Sequence, residues 1–282
     1  MKTIHMKSVE WQAVSAALRR AKVSSDQVED TTRPRHVSRF TFHPPAFTIV
    51  ELLTVIAIIA ILAAMLLPVL SRAKIAAQKK QAVVEISQIV GAIQQYDSVY
   101  GRFPVTANDQ ALAGTNDFTC AGTNYAADGV TALWTMGLTN NAEVMAILMD
   151  ITNITVTTAN VNHQKNPQQT IFLNAKQVVD PTLPGVGPDL VYRDPWGSPY
   201  LISMDLNYDE QCHDIYYSRQ AMSPSTSQQG YNGLFNPDAN GNSDNFLYHG
   251  KVMVWSAGPD RMVDTNSAAN LGVNKDNILS WQ

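Results

Sequence analysis

The sequence predicts an α+β fold in which one long N-terminal helix packs on a small antiparallel sheet. Three observations carry this expectation. An apolar run covers residues 47–70, an amphipathic helical pattern continues from it to Tyr100, and turn and strand signals dominate after Leu190. The 282 residues, 45% hydrophobic and 16% charged, suffice to bury a core. They divide into a leading segment 1–46, a helix 47–104 and a globular head 105–282.

The leading segment carries eight Lys/Arg against four Asp/Glu, which leaves a net charge of −8 on residues 47–282. An acidic body argues against nucleic acid as a partner, because phosphate binding needs a basic surface. A basic stretch ahead of an apolar run has the layout of an export signal.

From Leu52 to Leu67 nothing is more polar than Thr54, and a helical run of this length spans roughly 30 Å of hydrocarbon. A secretory signal would have a shorter apolar core followed by a small-residue cleavage site. Here the run passes into more helix. Glu51 stands near its start, and a lone carboxylate there costs a few kcal/mol unless it reaches the interface or finds a partner. Pro68 removes one backbone hydrogen bond and is expected to kink the helix. Arg33, Arg35 and Arg39 precede the span while Arg72, Lys74, Lys79 and Lys80 follow it, so charge alone leaves the orientation open.

Beyond Leu70, residues Ile75, Ala82, Ile86, Ile89, Ile93, Tyr96 and Tyr100 recur on one helical face, with Lys79, Lys80, Gln81, Glu85 and Gln88 largely elsewhere. Gly101 and Phe103-Pro104 form a stop signal. A helix from Phe47 to Tyr100 would be about 80 Å long.

In the head, residues 105–190 are rich in Asn, Thr, Ala and Gly, with a helix expected over 142–150 and a short strand or turn over 170–173. The run Asp194-Pro195-Trp196-Gly197-Ser198-Pro199-Tyr200 predicts a rigid turn leading into a strand over 200–205. Further strands are expected over 214–218 and 251–256. Cys120 and Cys212 leave two readings open, a disulfide outside the cytoplasm or two thiols. Asp238, Asn240, Asn242 and Asp244 have the alternate spacing of an EF-hand loop. Ser243 and His249 stand where Gly and Glu belong, which favours a plain Asn/Gly-rich loop. Hydrolase, nucleotide-binding and zinc-protease motifs are absent, so the sequence does not read as an enzyme.

The order Ala46-Phe47-Thr48-Ile49-Val50-Glu51-Leu52, followed by the apolar run, resembles the processing site of type IV prepilins and type II secretion pseudopilins. The resemblance implies that prepilin peptidase cuts between Ala46 and Phe47, removes residues 1–46, and leaves Phe47 to be N-methylated. It implies that Glu51 is needed for assembly, and charge pairing predicts that Glu51 meets the Phe47 amine of a neighbouring subunit. Two ions that are each costly in a low-dielectric medium recover part of that cost by pairing. Similar pilins carry a proline at the place of Pro68. The resemblance also sets the orientation, with a cytoplasmic N-terminus and a periplasmic head. Ala46 stands where that family usually has Gly, and a leader of 46 residues is long for it.

Tyr100-Gly101-Arg102-Phe103-Pro104, together with the turn at residues 194–200, is similar to the head of major pseudopilins. Ser256-Ala257-Gly258-Pro259-Asp260, with Asp276-Asn277-Ile278 and Trp281, resembles their C-terminal calcium loop. The implied Ca²⁺ ligands are the carbonyls of Ala257 and Met262 with Asp260, Asp276 and Asn277, for an ion that takes six to eight oxygens. Asn277 replaces an expected Asp and the stretch between Asp264 and Asp276 is longer, so a solvated polar loop stands as the alternative. The implied function is that of an inner-membrane pseudopilus subunit. It would assemble with itself and other pseudopilins on an inner-membrane platform to drive protein export. A type IV or minor pilin for adhesion, motility or DNA uptake shares the N-terminal logic. A membrane-tethered enzyme or sugar-binding module is a third class, disfavoured by the missing motifs and the continuous helix.

Overall fold

The computed structural model describes residues 47–113, 117–120, 140–152, 155–224, 227–238 and 243–282. The leader with Ala46, and Asn240 and Asn242 of the EF-hand-like spacing, lie outside the described residues. The described chain is α+β, with a long apolar N-terminal helix and a small antiparallel sheet. It divides into two compact units, 1–57 and 58–282.

Helix α1 runs over Ile49–Tyr100, 52 residues, and continues through Pro68. Thr48 and Glu51 start it reciprocally. Thr48 Oγ1 accepts the Glu51 N–H at 3.2 Å, and Glu51 Oε2 accepts the Thr48 N–H at 2.9 Å. This is a capping box, with a carboxylate at the positive end of the helix dipole. The large apolar side chains between Phe47 and Leu70 are exposed, Ile49 by 83%. The helix is long and apolar enough to cross a membrane.

In the second unit the character of α1 changes. Ala82, Ile86, Ile89, Ala92, Ile93 and Tyr96 are buried at spacings of three and four. Ile75, expected on this face, stays 40% exposed, since the earliest hydrogen bond from helix to head is made by Gln78. The helix stops as predicted at Gly101. Its φ of +61° lets its N–H turn back to Asp97 O at 2.7 Å, a left-handed cap that suits glycine.

Helix α2 covers Ala107–Ala113 and α3 covers Ala142–Leu148. The latter ends two residues before its expected limit. Asp150 enters the left-handed region (φ +55°), and the Ile151 N–H bonds Ala146 O at 2.8 Å. Residues 170–173 form no regular element. The N–H groups of Phe172 and Leu173 satisfy the Leu148 carbonyl at the end of α3 instead.

A four-stranded antiparallel sheet joins β1 (Phe118–Cys120), β4 (Leu201–Met204), β7 (Val252–Ser256) and β8 (Ile278–Leu279), in the order β1-β4-β7-β8. Two small ribbons pair β2 (Gly185–Val186) with β3 (Tyr192–Arg193), and β5 (Gln211–Cys212) with β6 (Tyr248–His249). The expected strands at 200–205 and 251–256 are present as β4 and β7. The one expected at 214–218 is a turn. Asp214 Oδ1 accepts the N–H groups of Tyr216 and Tyr217, each at 2.9 Å, and curls the chain before it can extend.

The sheet is buried on both faces, and side-chain alternation sorts its residues. Ile202, Met204, Val252, Val254 and Ile278 join the cluster that includes the helix residues Ile86 to Tyr96. Leu201, Met253, Trp255 and Leu279 point the other way, into a second cluster with Tyr216, Tyr217 and Trp281. Cys120 belongs to the first cluster and Cys212 to the second, and no disulfide joins them.

Candidate functional site

Two places carry chemistry that bears on the expectations above: the start of α1 and the loop that follows β7.

At the start of α1, Phe47 is 74% exposed. Glu51 receives both hydrogen bonds of Thr48, from N–H and from Oγ1 at 2.8 Å, on the single oxygen Oε2. Thr54 Oγ1 donates to Glu51 O at 2.9 Å, so the one other polar side chain nearby spends its donor inside the helix. Among the described residues, no cation faces Glu51. The carboxylate is positioned by its own chain and its charge is left uncompensated there. Pro68 offers no N–H to the carbonyl of Ala64, which leaves that acceptor without its helical donor.

A set of polar anchors ties the second half of α1 to the head. Gln78 Nε2 donates to Pro195 O at 3.0 Å, in the predicted turn. Tyr200 donates to Glu85, and Lys251 Nζ pairs with Asp97 Oδ2 at 3.1 Å. Tyr96 Oη donates to Lys165 O at 2.6 Å, and Tyr100 Oη to Asn166 Oδ1 at 2.7 Å.

The Asp194 turn closes as the sequence suggests. The Gly197 N–H bonds Asp194 O at 2.9 Å, and Gly197 takes a φ of +89°. Asp194 Oδ1 accepts the N–H groups of Trp196 and Ser198, while Oδ2 accepts Ser256 Oγ at 2.6 Å. Asp194 therefore fastens this turn to the last residue of β7, where the C-terminal loop leaves the sheet. Burial lifts its carboxyl to about 6 against these hydrogen bonds.

Beyond Ser256 the chain enters that loop. Ala257 is buried, and Gly258 has a φ of +73°. A Cβ on Gly258 would stand 2.3 Å from Asp276 O, so the two arms of the loop touch where glycine alone fits. Asp260 Oδ1 accepts the Met262 N–H at 2.9 Å. Burial, with the charge of Asp260 second, raises the Asp276 carboxyl above its ordinary value, and Lys79 of α1 works the other way. Asp276 Oδ1 and Asn277 Oδ1 are buried without a donor, whereas Asn277 Nδ2 is engaged with Tyr217 Oη at 2.9 Å. The fold thus brings Asp260 and Asp276 together and leaves two side-chain oxygens unpartnered. Among the described residues, no group of three or more His, Cys, Asp or Glu forms a metal cluster.

Asn274, which sequence reasoning passed over, braces the long stretch between the two arms. Its Oδ1 accepts the Asp264 N–H at 2.9 Å, and its Nδ2 donates to the carbonyls of Asp264 and Ser267. A lone Asn among many gives no sequence signal for such a role. On the face of the sheet that carries Trp255, Asp214 Oδ2 collects Ser203 Oγ at 2.7 Å and Trp255 Nε1 at 3.0 Å, and Ser203 in turn meets Thr119. With four donors satisfied, this buried carboxylate is a structural hub.

No family model, curated protein or solved structure matches this chain.

Proposed function

We propose that the chain is a subunit of a type IV pilin-like filament, most similar to the pseudopilus of type II secretion systems. It is cut between Ala46 and Phe47 and assembles through its N-terminal helix. The observation that carries this reading is the order of features along α1. A methylatable Phe47 follows the small Ala46. Glu51 is fixed by Thr48 without a compensating cation, an apolar exposed stretch follows, and the same helix ends on a packed head.

Each feature has a task in assembly. Cleavage would create an ammonium at Phe47, and the uncompensated Glu51 of a neighbouring copy would receive it, setting axial register between otherwise slippery apolar helices. The exposed apolar half would pass from lipid to packing against other copies, and the head would ride on the periplasmic side. The reading assigns the chain assembly chemistry and no catalysis. Its partners are further copies, other pseudopilins, prepilin peptidase and an inner-membrane platform.

The same reading places Ca²⁺ in the C-terminal loop, held by the carbonyls of Ala257 and Met262 with Asp260, Asp276 and Asn277. The unpartnered Oδ1 atoms of Asp276 and Asn277 fit a cation, which would supply positive charge between two carboxylates.

Mass spectrometry of the protein from cells with and without co-expressed prepilin peptidase tests the proposal, with Glu51→Ala beside it. The expected result is a mature species starting at methylated Phe47, with filaments that are lost in Glu51→Ala. An uncut chain, or a cut elsewhere, overturns the reading.

A further inference from the structure

The contacts along α1 give the head a near and a far end relative to the apolar run. Gln78 Nε2 reaches Pro195 O about 12 Å of helix beyond Leu70. Tyr96 and Tyr100 hold the opposite end, about 30 Å further along, where Phe172 packs on both rings. The loop 178–184 belongs to the near end. It crosses the Asp194 turn so closely that a Cβ on Gly197 would stand 3.0 Å from Thr182 O. Its foot is tied to the β2–β3 ribbon, where the Val178 N–H bonds Val186 O at 2.9 Å.

At the tip of this loop Val179 is 94% exposed, and Pro181 and Leu183 are exposed beside it. A single exposed apolar side chain is ordinary, whereas several on one turn form a patch. The polar groups of the turn are occupied from within. Thr182 N–H and Oγ1 both donate to Asp180 Oδ1 at 2.8 Å, and the Leu183 N–H bonds Asp180 O at 3.1 Å. Pro181 and Pro184 bring no N–H and stiffen the turn. Such a tip enters a less polar medium with little backbone desolvation and little ordering cost. The charges nearby suit a lipid surface. Arg72, Lys74 and Lys80 are exposed on α1 where it passes from the apolar run to the head, and Lys176 is exposed at the foot of the loop.

We propose that this loop is a second membrane contact: Val179, Pro181 and Leu183 settle into the lipid headgroup layer beside α1, while Arg72, Lys74 and Lys80 meet lipid phosphates. The inference rests on the reading of the apolar run as a membrane span. The polar layer on each side of the hydrocarbon is about 5–7 Å thick, so 12 Å of helix leaves a gap of about 5 Å below the Asp194 turn. A loop standing off that turn closes the gap, helped by the tilt of about 20° common to spanning helices. A span alone lets the head rotate about the helix axis. A second contact fixes which side of the head faces the bilayer.

The test places one nitroxide at a time on the full chain, in nanodiscs of phosphatidylcholine and phosphatidylglycerol, through Val179→Cys, Leu66→Cys or Ile171→Cys. All three side chains are exposed, so the labels disturb no packing, and Ile171 adjoins Phe172 at the far end of the head. The parent chain, whose Cys120 and Cys212 are buried, is the labelling blank. Collision with a water-soluble nickel chelate is expected to be several-fold slower at residue 179 than at residue 171, and slowest at residue 66. Residue 66 shielded with residue 179 as accessible as residue 171 overturns the loop contact and leaves the span standing. A water-accessible label at residue 66 removes the span and the proposal with it. Shielding at residue 179 that vanishes at one copy per nanodisc assigns the loop to a neighbouring copy and overturns its contact with lipid.

Discussion

Tyr200 Oη donates a 2.5 Å hydrogen bond to Glu85 Oε2, joining the strand-leading end of the Asp194 turn to the middle of the helix's packed half. Burial first, and the Glu85 charge second, drive the phenol far above its ordinary range, so it stays a donor at every accessible pH. Glu85 Oε1 takes Gln81 Nε2 at 2.8 Å, which fixes the carboxylate along the helix. Tyr200→Phe keeps the ring and deletes the donor. We expect a loss of about 1.5–3 kcal/mol, typical of a hydrogen bond to a charged group, read as a lower denaturant midpoint with unchanged slope.

Ile89 and Ile93 sit wholly buried between the helix and the sheet. Ile89→Ala should cost about 2–5 kcal/mol, because the removed atoms leave a cavity that a helix segment anchored on either side, at Glu85 and Tyr96, cannot collapse. Val84→Ala, on the exposed face, should change stability by less than about 0.5 kcal/mol. Equal effects in chemical unfolding would contradict the assignment of the packed face.

The C-terminal loop offers a ligand test. Ca²⁺ is expected to raise the melting temperature of the parent chain, and Asp276→Asn to abolish most of that rise. Gly258→Ala should lower the melting temperature with or without Ca²⁺, since its Cβ would drive into Asp276 O at a positive φ. A parent chain whose melting is indifferent to millimolar Ca²⁺ would remove the ion from the proposal.

Asp117 supplies a pH dependence with a definite sign. Burial leads, and the charges of Asp205 and Asp209 add to it, raising this carboxyl to about 7, while its Oδ2 accepts the His213 N–H at 2.6 Å. A carboxyl raised in the folded state holds a proton where the unfolded chain has lost it. Its contribution is therefore complete below the ordinary carboxylate range and disappears as pH climbs to about 7. The parent chain should melt higher at pH 5 than at pH 8. Asp117→Asn, which keeps an acceptor for His213, should narrow that difference. Identical melting at both pH values would refute the sign.

Much of the architecture was legible because its signals are local. The apolar run, the spacing from Ala82 to Tyr96, Gly101 and the Asp194 turn each act within a few residues, and each stands where the sequence puts it. The expected strand at 214–218 failed for the opposite reason. Ile215, Tyr216 and Tyr217 look like a strand, yet Asp214 beside them bonds their backbone and bends it, with support from Ser203 and Trp255 far away in sequence. The bracing of the C-terminal loop by Asn274 depends on tertiary neighbours in the same way. At the start of α1, the Thr48–Glu51 pair is the feature whose local geometry a short motif could announce.

The anchors along α1 are spread from Gln78 through Glu85 and Asp97 to Tyr100, and they reach the Asp194 turn twice, Lys251 at the start of β7, and Asn166. A tensile load on this helix would therefore be resisted in shear, with the four attachments and the buried Ile86–Tyr96 face strained together rather than peeled in succession. Attachment of this kind yields only when several contacts fail at once, so mechanical release of the head would be slow and governed by the unfolding rate.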